Sequence, residues 1–435
     1  MTLRVCIIGA GASGLVCAQV LSSEDYLLKP TIFEQSDHLG GQWHLDSHGS
    51  STTSAVYRDL KTNLPCGVMQ FSDFPFPGQD SEAYVGPKEM EDYILAYAEK
   101  NQLKKFIRFN CQVISVDETF TVTYKTSTDA IQNDYNEYDQ RRLVKKTEDS
   151  IFYAEQFDAV CVANGHYSEI YIPDNISGFN SRTFPISHSR SYRQPEIYRD
   201  RCVVVVGGSH SGIDIAGELS AVAKQVVLSL KDENVDYANT VLNLLQLSGK
   251  PICTDYTSSV FSFAPTIERI DKDCVIFSDQ RSISPDHMIF ATGYQYHMPF
   301  LKGKLQFDEE CLMKNRYLYP LFKQLFHGNV PDGRLSLLAI PYRIVPFPLA
   351  ELQSHIVARV LTGRLHLPSC EDMIKMIDHF CLPKNRSYHC VNMIDYTKDL
   401  LQWIETSDQY FNYKFTIDDQ RRVRKQTKKM NSSRE

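Results

Sequence analysis

The chain lacks the features by which several protein classes are usually known. None of its 12 cysteines forms a Cys-x-x-Cys pair, and none clusters with histidine at metal-ligand spacing. That excludes a zinc ribbon and the dithiol of a disulfide reductase, so no metal is expected. Scattered cysteines read as reduced thiols in a cytoplasmic protein. No run of about 18 apolar residues occurs, so no transmembrane anchor is expected. An apolar strand already opens at Leu3, so no leader peptide is expected ahead of the fold. An excess of positive charge is missing too. The net charge of -7 argues against a nucleic-acid partner.

What is present is a repeated pattern. The length of 435 residues calls for two or three domains. Gly9-Ala10-Gly11-Ala12-Ser13-Gly14 follows the apolar run Val5-Cys6-Ile7-Ile8, and Gly207-Gly208-Ser209-His210-Ser211-Gly212 follows Val203-Val204-Val205-Val206. Each has the order of a dinucleotide site: buried strand, glycine-rich turn, helix. The turn lets backbone approach a pyrophosphate, and the helix N-terminus offers free N–H groups to it. One such turn means little. Two imply two dinucleotides in one protein, and a hydride passed between them.

The spacing predicts a strand over 3–8, a helix over 13–22 and a strand over 31–34 ending at Glu34. An acid at that strand end accepts hydrogen bonds from ribose hydroxyls. A helix with a buried face is expected over 88–100, and a small antiparallel element over 106–124. The polar stretch 126–150 reads as an exposed hairpin or loop. Buried strands 157–163 and 287–293 both end in small residues that let the chain pass close to a cofactor. After the second glycine turn, the strand 226–230 leads to Lys231, a cation placed to hold a 2'-phosphate and favour NADP, with Asp232 beside it.

These motifs resemble the flavin-containing monooxygenase family over roughly residues 1–370. The first turn with Glu34 is similar to the family's FAD site. Gly40-Gly41-Gln42-Trp43 resembles its Gly-Gly-x-Trp turn. Tyr57-Arg58-Asp59-Leu60-Lys61-Thr62-Asn63-Leu64-Pro65 resembles the segment with the family's active-site asparagine. Gly165-His166-Tyr167, Ala291-Thr292-Gly293-Tyr294 and 348–353 are similar as well. The identifying motif Phe-x-Gly-x-x-x-His-x-x-x-Tyr/Phe is half present: His188, Ser189, Arg190 and Tyr192 fit, whereas Arg182 and Phe184 stand where Phe and Gly are expected. Relatives that insert oxygen beside a ketone carry Trp where this chain has Tyr192, so the resemblance favours N- or S-oxygenation.

The resemblance implies an α/β fold of two Rossmann-like domains, the NADP domain inserted in the FAD domain. The expected division is 1–170 (FAD), 171–288 (NADP), 289–417 (FAD, with C-terminal helices) and a basic flexible tail at 418–435. It implies that NADPH reduces FAD and that the reduced flavin takes up dioxygen as a C4a-hydroperoxide. One oxygen then passes to an amine nitrogen or a sulfide sulfur, and the other leaves as water. Asn63 is the expected catalytic residue. FAD contacts are expected from Gly9, Ala10, Gly11, Ala12, Ser13, Gly14, Glu34, Gly41, Gln42, Trp43, Thr62, Asn63 and Leu64. NADP contacts are expected from Ser209, Ser211, Gly212, Asp214 and Lys231. The fold also leaves room for an NADPH oxidase, a Baeyer–Villiger enzyme, or a flavin- and NADPH-binding regulator without turnover. A homo-oligomer is compatible with each.

Overall fold

The computed structural model describes residues 2–44, 54–127, 142–147, 149–173, 175–231, 234–236, 238, 260–313, 316–380 and 386–406. Strand β1 (Leu3–Ile8) carries its apolar run Val5–Ile8 fully inside, as a strand covered on both faces requires. It pairs in parallel with β2 (Leu28–Phe33) on one side and with Ala159–Val162 on the other. The complete sheet has seven strands, in the order Leu321–Phe322, Phe326–His327, Leu335–Leu337, Ala159–Val162, β1, β2, Ile107–Arg108. Between β1 and β2 runs α1 (Ala12–Glu24). Its residues Leu15, Val16, Cys17, Ala18, Val20 and Leu21 are all buried, leaving little polar face. Such a helix needs cover on both sides. The sheet gives one side and the helix Pro346–Leu361 the other.

A second sheet repeats the plan. Five parallel strands stand in the order Ile186–His188, His287–Phe290, β3 (Cys202–Val206), β4 (Gln225–Ser229), Phe261–Ala264. Helix α2 (His210–Leu219) links β3 to β4. The fold is therefore α/β, two Rossmann-like units with the second inserted in the first. Phe290 still pairs with His188 and Val206, so the chain leaves the second sheet after Phe290, two residues beyond the expected 288.

One local expectation differs from the structure, and the described part of another, the exposed hairpin, agrees with it. Ile107–Arg108 does not join the antiparallel element but extends the parallel sheet beside β2. Within the polar stretch, Arg142–Lys146 is a strand, the edge of a four-stranded antiparallel sheet, paired with Ser150–Gln156. Its residues are all exposed, so no hydrophobic alternation marks it. Residues 128–141, Asp232 and the basic tail lie outside the described residues. The antiparallel sheet is tied to the first unit by Glu155, buried, whose carboxylate takes hydrogen bonds from Arg4 at 2.8 Å, Tyr124 at 3.0 Å and Arg108. Among the described residues no helix is long and apolar enough to cross a membrane.

The packing of α1 on the helix Pro346–Leu361 is fixed at its end by charge. Glu24 accepts from His355 at 2.6 Å and Arg359 at 2.7 Å, with Arg364 at 3.3 Å. Burial alone would raise the Glu24 carboxyl; the hydrogen bonds from His355 and Arg359 outweigh it and hold it at about 2, against an ordinary 4.5. A carboxyl depressed in the folded state stabilises the fold above its unfolded value. That stabilisation drains away as pH falls from about 4.5 toward 2. Glu24→Gln is expected to cost about 2 kcal/mol at pH 6, after allowance for the partly exposed partners, and to flatten the loss below pH 4.5. Urea midpoints of both proteins at pH 6 and pH 3 check this; parallel curves would reject it.

Candidate active site

The two glycine turns are built alike. After β1, Gly9 has φ +106°, and a Cβ there would stand 2.6 Å from the carbonyl oxygen of Ala163. After β3, Gly207 has φ +128°, and its Cβ would stand 2.5 Å from the carbonyl oxygen of Ala291. Each turn is thus crossed closely by a chain leaving the neighbouring strand. The two crossings are joined. Glu169–Ile170 pairs antiparallel with Tyr294–Gln295, Tyr171 N–H donates to Gly293 O at 3.0 Å, and the Thr292 hydroxyl donates to Tyr171 O. This ribbon ties one nucleotide turn to the other.

Helix α1 begins with Gly11 as N-cap and α2 with Ser209. Neither has a side-chain cap, and neither has an acid in its first turn. The N–H groups of a first helical turn have no partner within the helix, so an anion is the fitting partner for both ends. Gly40-Gly41-Gln42-Trp43 lies on the first turn: Gly40 N–H donates to Ala10 O at 3.0 Å, and a Cβ on Gly41 would reach Gly11 Cα at 3.0 Å. Trp43 packs against the main core, and Gln42 O accepts from Ser54.

Glu34 follows β2 and is buried. Its Oε2 accepts from Ala10 N–H at 2.8 Å, and its Oε1 accepts from the N–H of Ser36 at 2.9 Å and its hydroxyl at 2.8 Å. A carboxylate has about four acceptor positions, so one remains on Oε2 for a ribose hydroxyl. The glycine turn and the acid are thus linked directly.

Thr62 is buried and clamps Val85, N–H to Val85 O at 2.9 Å and Oγ1 from Val85 N–H at 3.1 Å. Leu64 leans on the main core, and Pro65 caps the short helix Cys66–Met69 without a side-chain bond. Asn63 lies between these anchors, exposed, and its amide makes no hydrogen bond among the described residues. It caps nothing. The clamps on either side hold a free donor and acceptor on a fixed backbone.

In the second unit, Ser209 and Ser211 are exposed, and Gly212 is buried. Lys231 is exposed just beyond β4. It flanks the turn, since a Cβ on Gly208 would stand 2.9 Å from Leu230 Cβ and 3.1 Å from Asn234 Cβ. Asp214 is buried and accepts the Tyr57 hydroxyl. Four residues on, Glu218 accepts the Tyr192 hydroxyl at 2.8 Å, and the two tyrosine rings meet edge to face at 5.3 Å. Arg58 N–H also donates to Arg193 O, and Arg193 donates to Ser54 O at 3.1 Å. The segment 54–63 is therefore fastened at one end to the nucleotide helix of the other unit. Sequence reasoning missed Tyr57 in this role. Two acids at helical spacing, Asp214 and Glu218, beside an apolar run were the available signal.

His188 has both ring nitrogens engaged, Nε2 with Gly293 O at 3.0 Å and Nδ1 accepting from Arg190 N–H at 3.1 Å. Burial pulls it down to about 4, with the Arg190 charge adding to the fall. At neutral pH it is an uncharged spacer between strand end and ribbon, with no lone pair left for base catalysis.

Comparison with known proteins follows this geometry. The sequence profile of the flavin-binding monooxygenase-like family matches residues 2–252 and 252–419. Flavin-containing monooxygenase FMO GS-OX-like 9 of Arabidopsis thaliana is 33% identical over 402 residues, covering 87% of this chain and 79% of that protein. FMO GS-OX-like 8 of the same plant is 35% identical over 397 residues, with the same coverage of 87% and 79%. Among solved structures, S-allyl-L-cysteine S-oxygenase from Allium sativum aligns with a TM-score of 0.76 and 29% identity, covering 100% of this chain and 94% of that one. Two uncapped nucleotide turns in a flavin-binding monooxygenase fold fit FAD and NADPH as the cofactor pair.

The two crossings give a selective test. A methyl group at Gly9 or Gly207 meets a backbone carbonyl in a conformation strained for any side chain, at a cost of about 1–3 kcal/mol. Gly9→Ala is expected to lose bound FAD on purification. Gly207→Ala is expected to keep FAD and to bind NADP+ about tenfold more weakly. Flavin absorbance and NADP+ titration read the two separately, and equal effects of both variants on FAD would reject the assignment.

Proposed function

The chain belongs to the flavin-binding monooxygenase-like family, and we propose that its reaction is NADPH-dependent transfer of one oxygen atom from dioxygen to the sulfur of a small thioether. The other oxygen leaves as water. As a flavin-dependent monooxygenase it is an oxidoreductase. The observation that carries the reading is the joining of two open nucleotide turns by one ribbon, with the free amide of Asn63 on a strap fastened to both units. The choice of sulfur over nitrogen is supported by the full-length likeness to an S-oxygenase.

When bound, the FAD and NADPH pair would supply hydride transfer and oxygen activation. The protein's residues hold, orient and shield. Gly11, Ala12 and Ser13 direct N–H groups at one pyrophosphate; Gly9, Ala10 and Gly14 shape the turn; Glu34 takes a ribose hydroxyl. Gly41, Gln42 and Trp43 close over that turn. Ser209, Ser211 and Gly212 form the second anion cradle, and Lys231 meets the 2'-phosphate. Asp214 acts through Tyr57, fixing the strap rather than touching the nucleotide. Thr62 and Leu64 hold the backbone of Asn63.

Asn63 is the catalytic residue in this reading. Its amide donates and accepts hydrogen bonds but has no proton to lose near neutral pH. A soft sulfur nucleophile needs no base to activate it, in keeping with a neutral, fully engaged His188. Holding substrate and cofactors in register, with water kept out, is what these residues would contribute to the rate.

FAD-loaded protein supplied with NADPH, dioxygen and a small thioether is expected to form one sulfoxide per NADPH consumed. Peroxide without sulfoxide would reject the reading in favour of an NADPH oxidase, and preferential N-oxide formation from a tertiary amine would overturn the choice of sulfur. Asn63→Ala is expected to lower coupled sulfoxidation about 100-fold, with NADPH diverted to peroxide; normal coupling in that variant removes Asn63 from the mechanism. Lys231→Ala is expected to raise the KM for NADPH roughly 10-fold and leave NADH unchanged. An unaltered NADPH preference excludes Lys231.

A further inference from the structure

Among the described residues, Arg190 is a cation without a counter-charge. Its guanidinium makes no ion pair and no hydrogen bond among the described residues, and its Nε is buried with no acceptor. The residue is half-buried and its Nε–H lies inside, where an unmet donor carries its desolvation cost. Arg193 stands beside it; its Nη1 donates to Arg190 O at 2.7 Å and Tyr192 O at 2.8 Å. Nearby Arg58 shows the contrast, with both Asp59 and Glu196.

The position of this pair is as informative as its charge. Ser189–Ser191 leaves the strand Ile186–His188 at the same end at which β3 runs into the Gly207 turn, since His188 pairs with Phe290 and Phe290 with Val206. That is the carboxyl edge of a parallel sheet, where such sheets receive ligands. His188 fixes the place twice, bonding Gly293 O with Nε2 and Arg190 N–H with Nδ1, while its ring lies 5.1 Å from Tyr294. The charges of Arg190 and Arg193 both bear on Tyr294. The cations therefore stand beside the 291–294 crossing that closes over the second nucleotide turn.

We propose that Arg190, backed by Arg193, receives an anionic oxygen group at the edge of the second nucleotide turn, either a phosphate of NADPH or the carboxylate of a thioether substrate. The inference rests on the NADPH and thioether reading above. It adds a ligand-binding residue where the sequence offered only half of an identifying motif. It also gives a physical reason why no described residue pairs with the guanidinium: the ligand brings the missing charge.

The test uses FAD-loaded Arg190→Met, which keeps the length of the apolar stem, and Arg190→Lys, which keeps the charge. With no partner among the described residues lost, Arg190→Met is expected to retain FAD and the Tm of the parent. Dissociation of NADP+, measured by titration without substrate, is expected to weaken roughly 10- to 100-fold in Arg190→Met and less in Arg190→Lys if the group is a phosphate. If it is a carboxylate, NADP+ binding holds and the KM of a carboxylate-bearing thioether rises, with that of its methyl ester unchanged. No change in either quantity overturns the proposal, as does a fall in Tm with both affinities intact. Should Arg190→Met not fold, Arg190→Lys carries the same two readouts. Sulfoxide formation by the parent protein is scored separately, so failure of the S-oxygenase reading is distinguished from failure of the Arg190 assignment.

Discussion

Two carbonyl groups govern this molecule. Those of Ala163 and Ala291 press on Gly9 and Gly207 from less than 3 Å away, measured to where a side chain would start. Close approach at those points lets a crossing chain lie directly over each nucleotide turn. The ribbon of Glu169–Ile170 with Tyr294–Gln295 then makes the two crossings a single piece of structure. A hydride can pass between two bound dinucleotides only if their turns keep a fixed relation. Here that relation is held by main-chain hydrogen bonds, which do not vary with side-chain identity, together with one strap.

The strap is the less expected part. Residues 54–63 belong to the first unit, yet Tyr57 is bonded to Asp214 and lies against Tyr192, both in the second. The acids Asp214 and Glu218 sit on the buried face of α2 because each has a tyrosine hydroxyl to accept, which offsets the cost of burying them. Movement of the second unit would pull on the same short segment that presents Asn63. The placement of the asparagine and the docking of the nucleotide helix are therefore one mechanical problem, solved within seven residues of chain from Tyr57 to Asn63.

Much of this was legible in the sequence, for definite reasons. Both βαβ units could be read because a strand covered on both faces must be an apolar run, and because Gly9 and Gly207 mark turns that other residues resist. Glu34 could be read from its distance to the turn, although its bond to Ala10 N–H could not. The polar stretch could be read as an exposed hairpin or loop, but the limits of the strand Arg142–Lys146 could not, since an edge strand exposed throughout has no buried face to impose alternation. Ile107–Arg108 was assigned to the wrong sheet because two residues carry no pattern. The return to the first unit was placed early because His287–Phe290 reads the same in either sheet. The pairing of Tyr57 with Asp214 was hidden by a separation of 157 positions, across which no local period operates.

Electrostatics brings these parts to one purpose. The chain carries a net charge of -7, so its surface as a whole does not attract anions. Its positive features are local instead. Two helix N-termini lack caps and acids, Lys231 flanks one of them, and Arg190 has no counter-charge among the described residues. Elsewhere some buried or half-buried cations are met by acids, as Glu155 meets Arg4 and Arg108 and Glu24 meets Arg359. An acid added near either turn would stabilise the empty protein and compete with the ligand in equal measure. The uncapped helix ends and the buried Nε–H of Arg190 stay available to phosphate or carboxylate, and the fold draws its stability instead from apolar burial, as in the packing of α1 between the sheet and the helix Pro346–Leu361.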